Sequence, residues 1–319
     1  MKRIFACLGI VGMLLAASVS VATAATDWPK KPVTFIVPFA AGGNTDVLFR
    51  ILAPHLEKEL GVPCLVKNVS GANGTIGAAE LAAAKPDGYT IGFMSNGAMS
   101  SQPHLRKLPY SNESWEYICL MYDNPVAIMV SQASPFKSWQ EFVDAAKAAP
   151  DKYIYSSTGP GSIPHLTMLA LCREFDIKVR HMAERSGAEA MKSLAAGTTH
   201  IFADSATYVI RFENRGLLTV APERNKDLPD VPSTTDVGKP NLRYAVWNGV
   251  YAPKGTPKPI LDKLASILKM LSAKPEVIEA AAKSGSLVRF LDGQAFIDFH
   301  NGEYEKIGRL IKETGLKTQ

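Results

Sequence analysis

The chain has 319 residues, with 35 Lys and Arg against 30 Asp and Glu, which gives a formal net charge of +5. This charge is weak and spread along the chain, and no basic run with interleaved aromatic residues occurs, which argues against binding to nucleic acid or an anionic membrane surface. The length is enough to bury an ample hydrophobic core and suggests two domains.

The first 24 residues have the pattern of a secretory signal peptide. Lys2 and Arg3 precede the apolar stretch Ile4 to Val21, and Ala22-Thr23-Ala24 fits the small-residue cleavage rule. A membrane anchor is the alternative, but the apolar stretch is short and no stop-transfer pattern follows it. We therefore predict export to the periplasm with cleavage near Ala24, and the mature chain, having lost two cations, carries +3.

Export places three cysteines, Cys64, Cys119 and Cys172, in an oxidising compartment. They allow at most one disulfide bond, and any of three pairings would be possible. Each cysteine lies among apolar neighbours, so we predict buried free thiols.

The segment Val33 to Val47 predicts a binding site for an anion. It reads as a buried strand that ends at Pro38, a loop of small residues, and a helix that begins at Asn44 or Thr45 and stops before Gly61. The free N–H groups and the positive dipole end of such a helix face back over the loop and favour an anion there. Asp46 in the first turn is predicted to tie down loop amides rather than to act as a general base.

Two further loops repeat this pattern of strand, small residues and helix. The segment Gly71 to Gly77 follows the strand Cys64–Asn68, and the segment Ser156 to Ser162 follows the strand Tyr153–Ser156. Neither is a nucleotide loop, because no Gly-Lys-Ser/Thr ending and no dinucleotide fingerprint is present. Since ligands of open α/β sheets bind at the carboxyl ends of the strands, we expect the three loops to meet in a cleft between domains.

The remaining elements continue the alternation of strands and helices, which predicts the α/β class with a parallel sheet. Ser138 is predicted to cap a helix in a capping box with Glu141. The other predicted strands are Tyr89–Met94, Pro125–Val130, Val179–Met182 and His200–Ala203, and the other predicted helices are Thr45–Leu60, Ala78–Ala84, Ser138–Ala148, Ile163–Glu174, Gly187–Ala196, Pro259–Ser272, Pro275–Ser284 and Gln294–Thr314.

No catalytic or metal-binding pattern is evident in the sequence. There is no Gly-x-Ser-x-Gly elbow and no His-Glu-x-x-His, and the six histidines lack metal-ligand spacing with a cysteine or an acid. We predict neither an enzyme nor a cofactor or metal site. His165 is the one histidine expected near the cleft, as a packing or capping residue.

Several segments that occur in the same order along the mature chain together resemble one family, the Bug-type periplasmic substrate-binding proteins of tripartite tricarboxylate transporters. These segments are Trp28–Pro32, Ile36–Asp46, Lys67–Asn68, Gly74–Gly77, Lys85–Thr90, Ser157–Ser162 with His165–Leu166, Leu228–Thr234 and Trp247–Pro257.

The resemblance implies a two-domain periplasmic binding protein fold (type II-like) with the ligand cleft between the domains and crossing hinge strands. Residues 25–124 and 250–319 would form domain 1, and residues 125–249 would form domain 2. The implied function is capture of a small carboxylate by a monomer and its delivery to integral membrane transporter subunits. The ligand would be a di- or tricarboxylate, an aromatic acid or an amino acid. The alternative is a ligand-dependent sensor that docks onto a membrane kinase through the same binding chemistry.

The family's ligand-binding positions can be carried over residue by residue. They fall on Phe39, Ala41, Gly42, Thr45, Gly74 and Thr75 in the first two loops, on Ser157, Thr158 and Ser162 in the third, and on the strand end Ala203-Asp204-Ser205. One segment departs from the family, which usually has Val-Pro-Tyr-Lys-Gly where this chain has Met182 to Ser186. If this segment faces the cleft, Arg185 would hold a distal carboxylate in fork geometry, and Glu184 would repel an anion or pair with an amino group. The alternative is a solvated charge pair on the rim.

Overall fold

The computed structural model describes residues 27–316, so the predicted signal peptide lies outside the described residues. The α/β class is confirmed by a ten-stranded sheet with helices packed against it. The main strand order is β2-β1-β3-β9-β4-β7-β5-β6, and β8 and β10 pair with β4 off this path. Within the described residues, no helix is both long and apolar enough to span a membrane.

The strands are β1 Val33–Val37, β2 Cys64–Asn68, β3 Thr90–Ser95, β4 Trp115–Val130, β5 Ile154–Ser157, β6 Arg180–Ala183, β7 Ile201–Ser205, β8 Arg215–Thr219, β9 Ala245–Pro253 and β10 Val288–Asp292. The helices are α1 Asn44–Leu60, α2 Thr75–Ala82, α3 Trp139–Ala148, α4 Ile163–Phe175, α5 Gly187–Ala195, α6 Thr207–Arg211, α7 Lys258–Ser272, α8 Pro275–Lys283 and α9 Gly293–Thr314.

Two groups of parallel strands flank the crossing strands β4 and β9. We call β1, β2, β3 and β10 with α1, α2, α7 and α8 lobe 1, and β5 to β8 with α3 to α6 lobe 2. Strand β1 runs parallel to β2 and β3, and β5 runs parallel to β6 and β7. Strand β4 pairs with β9 over its first part and with β7 over its last part, so it carries the chain from one lobe into the other.

Each lobe has its own hydrophobic core, and the last helix contacts both. Leu48, Leu52 and Leu56 of α1 pack in the core of lobe 1, as their helical spacing predicts. Helix α9 buries Phe296 beside lobe 1 and Ile307 in the core of lobe 2. The lobes are therefore joined by two strands and braced by one helix.

The sequence prediction was incomplete around the crossing strands. The predicted strand Pro125–Val130 is the second half of the 16-residue β4, whose first half was missed because its residues are buried on both faces and show no alternation. The elements β8, β10 and α6 were likewise not predicted, whereas β9 is one of the crossing hinge strands that the resemblance implied. The capping prediction at Ser138 is partly right, since Ser138 caps α3 but Glu141 accepts from the N–H of Lys137 rather than from that of Ser138.

All three cysteines in the described residues carry free thiols. Cys64 and Cys119 are buried as predicted, whereas Cys172 is half-buried. Burial raises the pKa of the Cys64 thiol to about 12, and the nearby Glu57 carboxylate adds to this effect. Such thiols remain protonated at neutral pH and are poor nucleophiles.

Candidate functional site

The first two predicted loops lie side by side at the carboxyl ends of β1 and β2. We call Pro38–Gly43 loop 1 and Val69–Gly74 loop 2. A Cβ atom at Gly74 would lie 3.3 Å from Cβ of Pro38 and 3.5 Å from Cζ of Phe39, so the loops are in contact. The side-chain amide of Asn68, the last residue of β2, donates to the carbonyl of Phe39 over 3.0 Å. The expected convergence of the loops at one sheet edge is confirmed.

Asp46 fixes the conformation of loop 1. Its Oδ2 atom accepts from the N–H of Gly42 (2.8 Å) and from Nε of Arg50 (2.8 Å), and its Oδ1 atom accepts from Nδ2 of Asn68 (2.9 Å). Burial acts to raise the pKa of this carboxyl, but the bonds from Arg50, Gly42 and Asn68 outweigh it, and the pKa is lowered overall. The predicted structural role of Asp46 is confirmed, and the N–H of Gly42 is already engaged.

The two helices that follow these loops begin without a side-chain cap. Helices α1 and α2 have glycine N-caps, Gly43 and Gly74, which offer no oxygen to the first free N–H groups. Helices α3, α4 and α5 are each capped by a serine hydroxyl instead. The N-terminus of α1 therefore keeps unsatisfied donors, and both helices direct a positive dipole end to a place where an anion fits. At α2, the N–H and the hydroxyl of Thr75 both donate to the carbonyl of Ala72, so its free N–H groups begin at Ile76.

The third loop differs from the prediction that all three loops repeat one device. We call Thr158–Ser162 loop 3. The hydroxyl of Ser162 accepts from the N–H of His165, and the N–H of Gly161 donates to Nδ1 of His165 over 3.0 Å. Because these groups are satisfied internally, α4 offers less to an anion than α1 or α2 does. The prediction of His165 as a packing and capping residue is confirmed.

Loop 3 also contacts lobe 1 directly. The carbonyl of Gly161 accepts from Oγ of Ser101 (2.6 Å) and from Nδ2 of Asn73 in loop 2 (3.4 Å). A Cβ atom at Gly161 would lie 2.1 Å from Cδ1 of Leu105. The three predicted loops thus come together, with loop 3 opposite loop 2 across the junction of the lobes.

Ser157 and two histidines form a cluster behind loop 3. Nε2 of His181 lies 2.8 Å from Oγ of Ser157, and the rings of His165 and His181 stack with centroids 4.0 Å apart. Burial lowers the pKa of His181 to about 4, and burial together with the neighbouring His181 lowers that of His165 to about 3. Sequence reasoning missed His181, because nothing in its local pattern shows that it stacks on a helix residue 16 positions earlier.

The histidine pair should make the fold sensitive to acid. Between pH 6.5 and pH 4 the unfolded chain binds protons that the folded chain excludes, so stability falls as pH falls, by roughly 1.4 kcal/mol per pH unit for each histidine. We expect the free energy of unfolding of His181→Gln, measured in denaturant melts, to fall less between pH 7 and pH 4.5 than that of the parent chain. The same substitution at His55, in the middle of α1, is the control. If the free energy of unfolding fell equally with pH in the His181 variant and in the parent, His181 would not be a source of the acid sensitivity.

Asp204 lies at the carboxyl end of β7. It is 6% exposed, and its Oδ1 atom accepts from the N–H of Ser205 over 2.7 Å. Burial raises the pKa of this carboxyl to about 7, against a smaller opposite effect of the Ser205 N–H. Ala203 points into the core of lobe 2, and the hydroxyl of Ser205 pairs with that of Thr207 over 2.6 Å.

The segment that departs from the family pattern lies next to loop 3. The N–H of Glu184 donates to the carbonyl of Ser157 over 2.9 Å, and its carboxylate accepts from the hydroxyl of Ser193 on α5. Arg185 is exposed, and its backbone N–H donates to Glu189 over 3.1 Å. Glu184 and Arg185 form no ion pair with each other in the described part of the chain. The role of Arg185 stays a prediction.

Comparison with known proteins identifies the family. A family model described as the tripartite tricarboxylate transporter family receptor matches residues 48–316. The chain belongs to this family. The resemblance seen in the sequence is thereby confirmed, and the family consists of substrate-binding receptors.

Relatives of this receptor family match over nearly the whole chain. A protein of Cupriavidus necator, named as a UPF0065 protein in the gbd 5' region, is 31% identical over 92% of this chain and 90% of its own length. The structure of the periplasmic binding protein BugD is 30% identical and covers 92% of this chain and 100% of its own, with a TM-score of 0.83. The structure of MatC from Rhodopseudomonas palustris with bound malate is 27% identical and covers 89% of this chain and 100% of its own, with a TM-score of 0.81. The periplasmic binding protein fold of the receptor family is therefore confirmed for this chain.

Proposed function

We propose that this receptor binds a small carboxylate between its lobes in the periplasm and delivers it to the membrane subunits of a tripartite tricarboxylate-type transporter. The observation that carries the proposal is the pair of helices α1 and α2, whose glycine-capped N-termini meet at one sheet edge beside the junction of the lobes. Malate bound to MatC shows that a relative of this fold binds a dicarboxylate. The transporter as partner follows from the family description.

In this proposal, loops 1 and 2 bind one carboxylate and lobe 2 reads the rest of the ligand. The donors are the backbone N–H groups of Asn44 to Asp46 and of Ile76 and Gly77, together with the hydroxyl of Thr45. The hydroxyl of Thr75 would exchange its bond to the Ala72 carbonyl (3.0 Å) for one to the ligand. Phe39, Ala41, Gly42 and Gly74 shape the space in front of them. The residues that would approach the ligand from lobe 2 are Ser157, Thr158, Ser162, Asp204 and Arg185.

The energetics suit reversible capture. Each hydrogen bond to a charged group contributes about 1.5–3 kcal/mol. Four such bonds of about 3 kcal/mol, less an association cost of about 4 kcal/mol, give about −8 kcal/mol, which corresponds to micromolar affinity. We propose residues 25–124 with 250–319 and residues 125–249 as the moving domains of a monomer, with β4 and β9 as the hinge. Closure requires only that the ligand bind the closed form better than the open one.

The test of the function is a thermal-shift screen of the chain from Ala25 onwards. The ligands are mono-, di- and tricarboxylates, aromatic acids and amino acids. A rise in melting temperature confined to one carboxylate class supports the proposal. If no acid shifts the melting temperature, native mass spectrometry of the same sample decides the matter, because a bound acid that co-purifies upholds the proposal and an empty protein overturns it.

Gly42 offers a variant that blocks this site. Its φ of +79° is the left-handed conformation, and a Cβ atom there meets nothing within 4 Å. Leucine and alanine bear the same backbone strain of about 1 kcal/mol, but only leucine fills the space in front of α1. We expect Gly42→Leu to weaken carboxylate binding at least 100-fold and Gly42→Ala to weaken it less than about fivefold, measured by calorimetry. Equal affinities of the two variants would show that the ligand does not lie at loop 1.

A further inference from the structure

Two asparagine side chains at the N-terminus of α1 have buried polar atoms without hydrogen-bond partners among the described residues. Asn248 on β9 is 0% exposed, and its Oδ1 atom has no partner among the described residues. Asn44, the first residue of α1, has no partner within residues 27–316 for either its Oδ1 or its Nδ2 atom. An unsatisfied buried polar atom costs about 1–3 kcal/mol, so such groups are normally paired.

Asn44 and Asn248 are linked through Thr45 at the start of α1. Nδ2 of Asn248 donates to Oγ1 of Thr45 over 3.3 Å, and Asn44 directly precedes Thr45 in the chain. Asn248 reaches this point because β9 pairs with β3, which places Asn248 opposite Ser95 at the carboxyl end of β3. Because the Thr45 hydroxyl both donates and accepts, either orientation of the Asn248 carboxamide leaves one of its polar atoms unpaired.

From these contacts we propose that Asn44 and Asn248 recognise a hydroxyl group on the carbon next to the bound carboxylate, so that the ligand is a 2-hydroxycarboxylate. The proposal rests on the proposed function, because it places the carboxylate at the N-terminus of α1. Neither residue belongs to the set of ligand contacts carried over from the family.

A hydroxyl matches the chemistry of this region better than a methylene or an ammonium group does. A hydroxyl donates one hydrogen bond and accepts others, so it satisfies an unpaired carboxamide oxygen and an unpaired carboxamide nitrogen together. A methylene leaves both unpaired. An ammonium group could donate to the two carboxamide oxygens, but it accepts nothing and leaves the Asn44 nitrogen unpaired. Its charge would also lack a balancing acid, because Asp46 has both oxygens engaged by Gly42, Arg50 and Asn68.

The experiment compares matched acids that differ only at this carbon. The pairs are propionate and lactate, succinate and malate, and glutarate and 2-hydroxyglutarate, with both enantiomers of each hydroxy acid, and alanine, aspartate and glutamate are the amino analogues. We expect one enantiomer of the hydroxy acid to bind at least tenfold more tightly than its unsubstituted partner in calorimetry. The amino acid should show no such gain.

Variants then assign the preference to the two residues. We expect Asn248→Ala and Asn44→Ala each to reduce the ratio of hydroxy-acid to plain-acid affinity at least fivefold, with the affinity for the plain acid changed less than threefold. Asn301→Ala, the same change at an exposed position of α9, is the control and should keep the parent ratio. Asn44 lies at a helix end, so its variant serves if the buried Asn248 variant fails to fold.

The outcomes separate this proposal from the one it rests on. If plain and hydroxy acids bind equally well, or if an amino acid gains as much as the hydroxy acid, recognition of a hydroxyl is wrong while carboxylate binding stands. If both variants keep the parent ratio, the two asparagines do not read this group. If no acid of any class binds and the protein is empty, the proposed function fails and this inference fails with it.

Discussion

Replacement of Asp46 by alanine is expected to destabilise the protein by about 3 kcal/mol and to weaken carboxylate binding at least tenfold. The carboxylate is 1% exposed and accepts hydrogen bonds from loop 1, from β2 and from its own helix. Its loss removes three charge-assisted hydrogen bonds, from Gly42, Arg50 and Asn68, which contribute about 1 kcal/mol each at this partly buried site. Loop 1 would then no longer be held in front of the N-terminus of α1.

Urea melts and calorimetry with the best acid of the screen measure both effects. Arg50→Ala is the matched control, because Arg50 is half-exposed and its ion pair with Asp46 should contribute at most about 1 kcal/mol. The losses of stability and affinity in Asp46→Asn should lie between those in Asp46→Ala and Arg50→Ala, since an amide keeps the shape of the carboxylate but has one acceptor oxygen. If Arg50→Ala cost as much as Asp46→Ala, the ion pair rather than the anchoring of loop 1 would be the function of Asp46.

Replacement of Asp204 by asparagine is expected to stabilise the ligand-free protein, and increasingly so as pH rises. The pKa of this carboxyl is about 7 in the fold, because burial disfavours its charged form, against an ordinary value of 3.8. Between pH 3.8 and pH 7 the folded chain holds a proton that the unfolded chain has released, so the free energy of unfolding of the parent falls as pH rises. Above pH 7 the parent bears the full cost of a buried charged carboxylate. Asparagine carries no such cost.

The free energy of unfolding of the two chains should therefore diverge by about 3 kcal/mol between pH 5 and pH 8. Denaturant melts at four pH values in that range measure this difference. Asp298→Asn on α9 is the control, because an exposed carboxylate gains nothing when its charge is removed. A constant difference between Asp204→Asn and the parent across this range would mean that Asp204 is already ionised at pH 5.

Much of the binding edge could be predicted from local sequence. The start of α1 followed from Pro38, the paired glycines and the apolar spacing of Leu48, Leu52 and Leu56, because helix starts and faces are encoded within a few residues. The anchoring role of Asp46 followed from the same logic, since an acid in the first turn can reach the loop amides that precede it.

Features that depend on distant contacts could not be predicted in the same way. The first half of β4 shows no alternation because both its faces are buried. The stacking of His181 on His165, and the approach of Asn248 to Thr45, join residues that only the sheet order brings together. The capped state of α4 was missed for a different reason, because loop 3 has the same small residues as loops 1 and 2 but places a serine rather than a glycine at the N-cap.

Loop 3 would take part in the proposed closure as well as in the proposed binding. The carbonyl of Gly161 accepts hydrogen bonds from Ser101 and Asn73 of lobe 1. Ser157, which directly precedes the loop, is hydrogen-bonded to His181 and Glu184. A ligand at α1 and α2 would therefore lie next to a loop that already bridges the two lobes. Under the proposed closure, this placement would couple occupancy of the site to the relative position of the lobes.

The most direct test of carboxylate binding by α1 and α2 is an amide NMR titration of the mature, ¹⁵N-labelled protein with the acid that gives the largest thermal shift. The largest shifts are expected for the N–H groups of Asn44 to Asp46 and of Ile76 and Gly77, which are the free donors at the starts of the two glycine-capped helices. The N–H groups of Trp139 to Glu141, which begin the serine-capped α3, should not move. Saturation of binding with no change at the starts of α1 and α2 would contradict the account.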